Sequence, residues 1–154
     1  MANPRELIFA AITAQIEKIR QENGYYTDVG TVYRVEMTAD AIPEGAFPAV
    51  FVLDSLAGGE LTPIDAEGYQ LRLPIGIAAI TKSGTSDLTS SARHTEINNL
   101  IHDIWRVLLE DPTFGGACKD SFMSDGPTFV DTERGEALYN CNIVVNLFFQ
   151  RSDL

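Results

Sequence analysis

The beginning of the chain carries apolar residues at the spacing of an α-helix. Asn3 is suited to cap this helix and Pro4 to its first position, and Glu6 follows three residues after the cap. Gly24 is the predicted stop, because glycine readily adopts the left-handed conformation that ends helices. We therefore predict a helix over residues 4–22. The stripe on its inner face consists of Leu7, Ile8, Ala11, Ile12, Gln15, Ile16 and Ile19.

Three segments with strand patterns follow this helix. Residues 31–37 alternate between two faces, as a strand does. Residues 48–54 are apolar on both faces, which is typical of a strand inside a sheet. A longer loop comes after Asp54, and residues 69–82 then alternate again. Pro74 and Gly76 interrupt that alternation, and because proline cannot donate to a ladder, they predict an edge strand or a bulge.

A second helix and a clean final strand complete the predicted elements. The helix spans about 87–110 and ends before Pro112, and the final strand alternates from Tyr139 to Gln150. Turns are predicted at 125–127 and 134–135. The buried stripe of the helix is predicted to be Ile97, Leu100, Ile101, Ile104, Trp105 and Leu108.

Together these elements predict the α+β class in a single domain, residues 1–154. The order is α-β-β-β-α-β-β, and short connections make the sheet mostly antiparallel, with the two helices packed on one face. A chain of 154 residues is long enough for one well-buried core.

The charge is strongly acidic. The chain has 22 acidic and 11 basic residues, a net charge of −11. Residues 28–67 hold eight acids and one base, Arg34, a local charge of −7. Tight nucleic-acid binding is therefore not expected, because that affinity comes mainly from lysine and arginine on phosphates.

Candidate chemical groups are few. His94 and His102 are eight residues apart on the predicted helix, about 12 Å along its axis, so they cannot share one metal ion. Residues 82–86 resemble a phosphate loop faintly, but they lack its glycine spacing. No Gly-x-Ser-x-Gly elbow is present to expose a nucleophile. We predict a protein without catalytic residues, metal or other cofactor.

The cysteines and the apolar runs indicate a reducing compartment. Cys118 and Cys141 are too few for a disulfide framework, so two free thiols are expected. No signal-peptide or membrane-spanning run is visible, and a cytoplasmic site of synthesis is the expectation. Phe148 shares a strand face with asparagines, so its side chain is expected to be exposed to a partner.

Two segments of the chain carry a resemblance to a known family. The first runs from Gly24 to Gly30, with Arg34 and residues 48–50 after it, and the second covers residues 98–106 and continues to 111–116. In this order and spacing they resemble the tail-terminator (tail-completion) proteins of long-tailed bacteriophages. The matching motif residues are Tyr25, Tyr26, Thr27, Asp28, Gly30, Arg34, Asp103 and Asp111.

The resemblance implies a structural virion protein. Proteins of that family form a ring, typically of six subunits, at the head-proximal end of the tail tube. The ring stops tube polymerisation and meets the head connector or stopper, while DNA passes through its lumen without specific binding. The implied partners are thus other copies of the chain, the tail tube protein and the connector, with no membrane involved.

Acidic residues of the 28–67 stretch are candidates to line such a lumen or to touch a partner. They are Asp40, Glu44, Glu60 and Asp65. Their charge would repel DNA phosphates over about 8–10 Å at physiological salt. Other interpretations of the sequence are a different neck or tail component, such as a head-tail stopper or a tube subunit, and a small cytoplasmic enzyme.

Overall fold

The structure, a computed structural model, describes residues 3–55, 57–82, 90–131 and 133–153, with the backbone alone for residues 90 and 91. It has two helices and seven strands, and the α+β class is confirmed. The helices are α1 (Pro4–Ile16) and α2 (Ser90–Glu110). The strands are β1 (Thr31–Tyr33), β2 (Ala49–Asp54), β3 (Glu60–Pro63), β4 (Gly68–Lys82), β5 (Asp120–Ser124), β6 (Thr128–Asp131) and β7 (Glu136–Gln150).

All seven strands belong to one sheet of order β1-β2-β4-β7-β5. β3 adds to β4 on the same side as β2, and β6 adds to β7 on the same side as β5. β1 and β2 are parallel, and every other pair is antiparallel. The centre of the sheet is the pairing of β4 with β7 along their full length. The mostly antiparallel sheet is therefore confirmed.

Both helices pack on one face of the sheet, as predicted. The core between the helices and the sheet contains alternate residues of β4 and β7. Against them pack Ile8 and Ile12 of α1 and Ile104 of α2, which are fully buried. Gln15 joins the two helices, because its buried Nε2 donates to the Val107 carbonyl at 3.0 Å. The opposite face of the sheet, called the outer face here, carries a smaller apolar cluster.

The first helix and the first strand are both shorter than predicted. The Asn3 cap is confirmed, since its side chain accepts from the Arg5 amide at 2.9 Å, but α1 ends at Ile16. The chain then makes a short 3₁₀ turn and reaches Gly24 at φ 87°. β1 ends at Tyr33 because the following segment crosses onto the outer face. There Ile42 and Ala46 pack in the smaller cluster.

The long strand β4 lies inside the sheet, so the prediction of an edge strand at Pro74 was wrong. β7 pairs along one side of β4, while β2 and β3 share the other. β2 reaches Ile75 and β3 reaches Arg72, so Pro74 lies in the gap between them. The loop expected after Asp54 contains β3, whose four residues are all exposed.

The turn predicted at 125–127 is a bulge in one long edge. β5 and β6 both pair with β7, and one extra residue separates their two registers. Gly126 is required here, because a Cβ atom would lie 2.0 Å from the Asn140 carbonyl oxygen. The turn at 134–135 is confirmed between β6 and β7, with Gly135 at φ 70°.

Candidate functional site

The two segments that carry the family resemblance meet at Asp103. This aspartate lies in the middle of α2 and is fully buried. Its carboxylate accepts hydrogen bonds from the Tyr26 amide at 3.1 Å and from the Thr27 amide and hydroxyl at 2.8 and 2.6 Å. A buried carboxylate needs such donors, because removing a charge from water costs several kcal/mol. Asp103 thus fastens the 24–30 segment to α2.

Further contacts hold the same segment in place. Asp28 accepts from the Gln21 amide at 2.7 Å, which closes the turn before it. Arg106, one turn after Asp103, donates to the Gly24 carbonyl at 2.7 Å and lies over the Tyr25 ring. The Tyr25 hydroxyl donates to Glu110 at 3.1 Å. Burial raises the pKa of Tyr25 above its usual value, and the hydrogen bond to Glu110 raises it further.

Gly30 and Arg34 tie the segment to the sheet and to α1. A Cβ atom on Gly30 would lie 2.5 Å from the backbone of Ala46, so only glycine fits there. The Arg34 guanidinium lies 3.6 Å from the ring centroid of Phe9, and it donates to the Val52 carbonyl at 3.2 Å. Arg34 therefore bridges a helix and a strand.

Asp111 organises the loop that follows α2. Its carboxylate accepts from the Gly115 amide at 2.7 Å and from both the amide and hydroxyl of Thr113. These hydrogen bonds lower the pKa of the Asp111 carboxyl, and the bond from the Gly115 amide contributes most. The loop needs this support because Phe114 has a φ of 49°, unusual for a residue with a side chain.

The motif residues therefore form structural ties. The carboxylates of Asp28, Asp103 and Asp111 are all occupied by donors from their own turns or from the neighbouring segment. What the site can do is to present the exposed Tyr26 and the 24–30 turn in a fixed position.

Tyr26 and His102 form the exposed part of this tie. The Tyr26 side chain is 61% exposed, and its ring centroid lies 5.4 Å from that of His102. His94 is also exposed on α2. Among the described residues, no group of three or more histidine, cysteine or acidic side chains could hold a metal ion.

The four acidic candidates fall into two separate groups. Asp40 and Glu44 lie in short 3₁₀ turns before β2, whereas Glu60 starts β3 and Asp65 follows it. The partners of Ala49 and Glu60 on β4 are eight residues apart, about 26 Å at ~3.3 Å per residue. The structure of one subunit thus does not bring all four together.

Asp65 also has a role inside its own turn. Its Oδ1 accepts from the amides of Glu67 and Gly68 at 2.8 and 2.6 Å, which shapes the connection between β3 and β4. Sequence reasoning treated Asp65 only as a surface charge. An aspartate three residues before a glycine in a short loop is the signal that indicates such a turn.

One buried network was missed by the sequence analysis. Trp105, predicted to be buried, is 37% exposed, and its Nε1 donates to the hydroxyl of the buried Tyr139 at 2.8 Å. That hydroxyl donates in turn to Asp125 at 2.6 Å. Burial and the bond to Asp125 raise the pKa of Tyr139 far above its usual value. The network connects α2, β7 and the bulge between β5 and β6.

The two cysteines are free and buried. Burial raises the pKa of each thiol to about 11. Such thiols are poor nucleophiles near neutral pH, because the thiolate is the reactive form.

The largest of the described cavities, about 420 Å³, is a shallow surface groove. Its lining includes Ile64, Tyr69, Phe148 and Phe149, with Asp153 as its one titratable carboxyl group. Phe148 is 44% exposed, which confirms its predicted exposure, and Lys119 lies over its ring. This apolar and aromatic lining is suited to contact with another molecule.

Comparisons with known proteins add no family assignment. No protein-family model matches the chain, and a search of curated proteins finds no match. In the part of the chain that the structure describes, no helix is long and apolar enough to cross a membrane.

Proposed function

We propose that this protein is a phage tail terminator, a ring of six copies that caps the head-proximal end of the tail tube. The ring stops tube polymerisation and offers the surface on which the head connector or stopper is joined. The subunit is made in the host cytoplasm and ends in the virion. It carries out no catalysis and takes no cofactor.

The observation that supports this proposal best is the meeting of the two resembling segments at Asp103. They are separated by 76 residues between Thr27 and Asp103, yet three hydrogen bonds join them. A chance likeness of two short stretches has no reason to coincide with one tertiary contact. The resemblance therefore involves one structural unit of the fold.

The rest of the surface is compatible with a ring. A closed ring of identical subunits needs contacts between unlike patches. The chain offers exposed apolar residues on different elements, including Leu61 on β3, Leu109 on α2 and Phe129 on β6. The net charge of −11 disfavours a DNA-binding role and suits a lumen through which DNA slides.

Negative-stain imaging of the purified protein tests this proposal directly. We expect closed rings with six-fold symmetry, and added rings should limit the length of tail tubes assembled from the tube protein. Long tubes formed by the protein alone would identify a tube subunit instead. A monomer that leaves tube length unchanged would contradict the terminator function.

The acidic candidates need a variant design that separates charge from folding. The triple change Asp40→Lys, Glu44→Lys and Glu60→Lys alters exposed side chains, and we expect it to fold normally but to impair tail capping or DNA passage. Asp65→Lys is tested separately, since it also removes two turn hydrogen bonds. Normal tail length and full infectivity in the triple variant would show that these acids are solvated surface only.

A further inference from the structure

β5 is an open strand edge. Among the described residues, β5 pairs with β7 on one side and has no strand on the other. It contains no proline, and Phe122 at its centre is 61% exposed. An edge strand of this kind is a template for pairing with another chain, because its backbone donors and acceptors are unpaired.

The edges at β3 and β1 are less suited to pairing. In β3, the Ile64 amide donates to the Gly68 carbonyl, so the alternate residues Leu61 and Pro63 turn their backbone groups away from β4. Pro63 has no N–H to offer at that edge. β1 has only three residues, and at the far end of β5 the bulge with Pro127 interrupts the edge.

The outer face gives β5 an apolar row that ends at its edge. Phe122 is directly opposite Val144 of β7, and Val144 is directly opposite Pro74 of β4. Residues directly opposite one another share a face of the sheet. The row therefore ends in a large exposed aromatic side chain, and a strand paired beyond β5 would cover it.

The sequence around Phe122 is complementary to itself. Residues 119–125 read Lys-Asp-Ser-Phe-Met-Ser-Asp. If two such strands pair antiparallel about Phe122, Lys119 of one copy comes opposite Asp125 of the other, twice. To form this ion pair, the Lys119 side chain has to move from the Phe148 ring to the Asp125 oxygen that does not accept from Tyr139. Asp120 lies opposite Ser124, so no like charges face each other. The two Phe122 rings meet at the centre and join the two apolar rows.

We propose that two copies of this chain pair their β5 strands antiparallel about a two-fold axis through Phe122. The occupant of the edge is thus a second copy, and the result is one sheet that continues through both. This contact differs from the unlike-patch contacts that close a ring, and it does not depend on the tail-terminator function. Five paired residues extend over about 17 Å, so we expect a weak, concentration-dependent pairing.

A cysteine at the two-fold axis tests the pairing. Phe122→Cys places two thiols directly opposite each other, within the Cα separation that a disulfide allows. A thiol oxidant should give a covalent dimer on a denaturing gel, and it should form faster at higher protein concentration. The native thiols contribute little, because Cys118 and Cys141 are buried. A melting curve of the variant checks that it is folded.

Leu61→Cys is the matched control, since Leu61 is 56% exposed and also lies on an edge strand. It measures cross-linking by random collision, and the dimer from Phe122→Cys should exceed it at least tenfold. Equal yields would overturn the proposal. A ladder of covalent oligomers that forms only when Phe122→Cys and Leu61→Cys are present in one chain would also overturn it, because that pattern indicates pairing of β5 with β3.

Charge reversal gives an independent measurement on the otherwise native chain. Lys119→Glu places like charges opposite Asp125, so the dimer dissociation constant from sedimentation should rise several-fold. Lys18→Glu makes the same change in net charge on an exposed residue at the end of α1 and should leave that constant unchanged. Equal effects of the two variants would attribute the change to net charge and would overturn the proposed register.

The cross-link reports on β5 pairing whether or not the protein forms rings. Failure of the β5 pairing can therefore be distinguished from failure of the tail-terminator function.

Discussion

Thr27 donates two hydrogen bonds to Asp103, from its backbone amide at 2.8 Å and from its hydroxyl at 2.6 Å. With the Tyr26 amide, this satisfies a carboxylate that no water reaches. The charge is held by donors of a turn that has no regular secondary structure of its own. Asp103 therefore supplies three of the hydrogen bonds that hold that turn on α2, beside the contacts of Arg106 and Glu110.

Replacing Asp103 with asparagine should destabilise the fold by about 2–4 kcal/mol, because the amide group cannot accept at both oxygen positions. Urea unfolding followed by circular dichroism measures this. Asp28→Asn is the matched control, since Asp28 is exposed and accepts one amide, and it should cost about 1 kcal/mol or less. Equal losses in the two variants would contradict the role given to Asp103.

Two glycines are required for close approach of the backbone. Gly30→Ala and Gly126→Ala each place a Cβ atom against a neighbouring carbonyl oxygen, at 2.5 and 2.0 Å. Because backbone must move in both cases, we expect a loss of about 2 kcal/mol or more, or failure to fold. Gly45→Ala, with nothing within 4 Å, should have stability within about 0.5 kcal/mol of the wild type. Thermal unfolding of the three variants tests the ranking.

Tyr139→Phe should cost about 1–3 kcal/mol, because it leaves the Trp105 N–H without its acceptor and Asp125 without its donor. Tyr33→Phe is the control, since no hydrogen bond of the Tyr33 hydroxyl is found among the described residues, and it should be nearly neutral. Chemical unfolding at pH 7 gives the comparison. A larger loss in Tyr33→Phe would refute the network.

The same tyrosine should make stability depend on alkaline pH. Its pKa is raised in the folded state, so the stabilisation is fully present below the unfolded value of 10.0 and is lost at higher pH. Between pH 9 and 11, the wild type should therefore lose more stability than Tyr139→Phe. Parallel pH curves for the two proteins would show that Tyr139 does not titrate in this way.

The thiols should react slowly in the native protein and rapidly after unfolding. With a pKa of about 11 in place of 9.0, each thiol has about 100-fold less thiolate at pH 8. A chromogenic disulfide reagent should count two thiols at once in denaturant, and should react at least 100-fold more slowly without it. Fast reaction of one thiol in native protein would place that cysteine outside the core.

The sequence by itself determined which stretches could be helix or strand. The apolar stripe of α1, the alternation in β4 and β7 and the cap at Asn3 are local signals, because each arises from side chains close in the chain. Within that alternation Ile75 and Ile143 share a face of the sheet, and they lie directly opposite each other in the core.

Tertiary structure decided where those elements stop and what the polar residues do. The pattern of 31–37 continues as a strand would, yet β1 ends at Tyr33, because the chain crosses the outer face to bury Ile42. Pro74 is tolerated in a central strand, since the two neighbours of β4 leave a gap beside it. Asp103 is a plain helical aspartate until Thr27, 76 residues earlier, is brought against it. Contacts between residues distant in the chain produce no periodic pattern in the sequence. They could therefore be identified only from the tertiary structure.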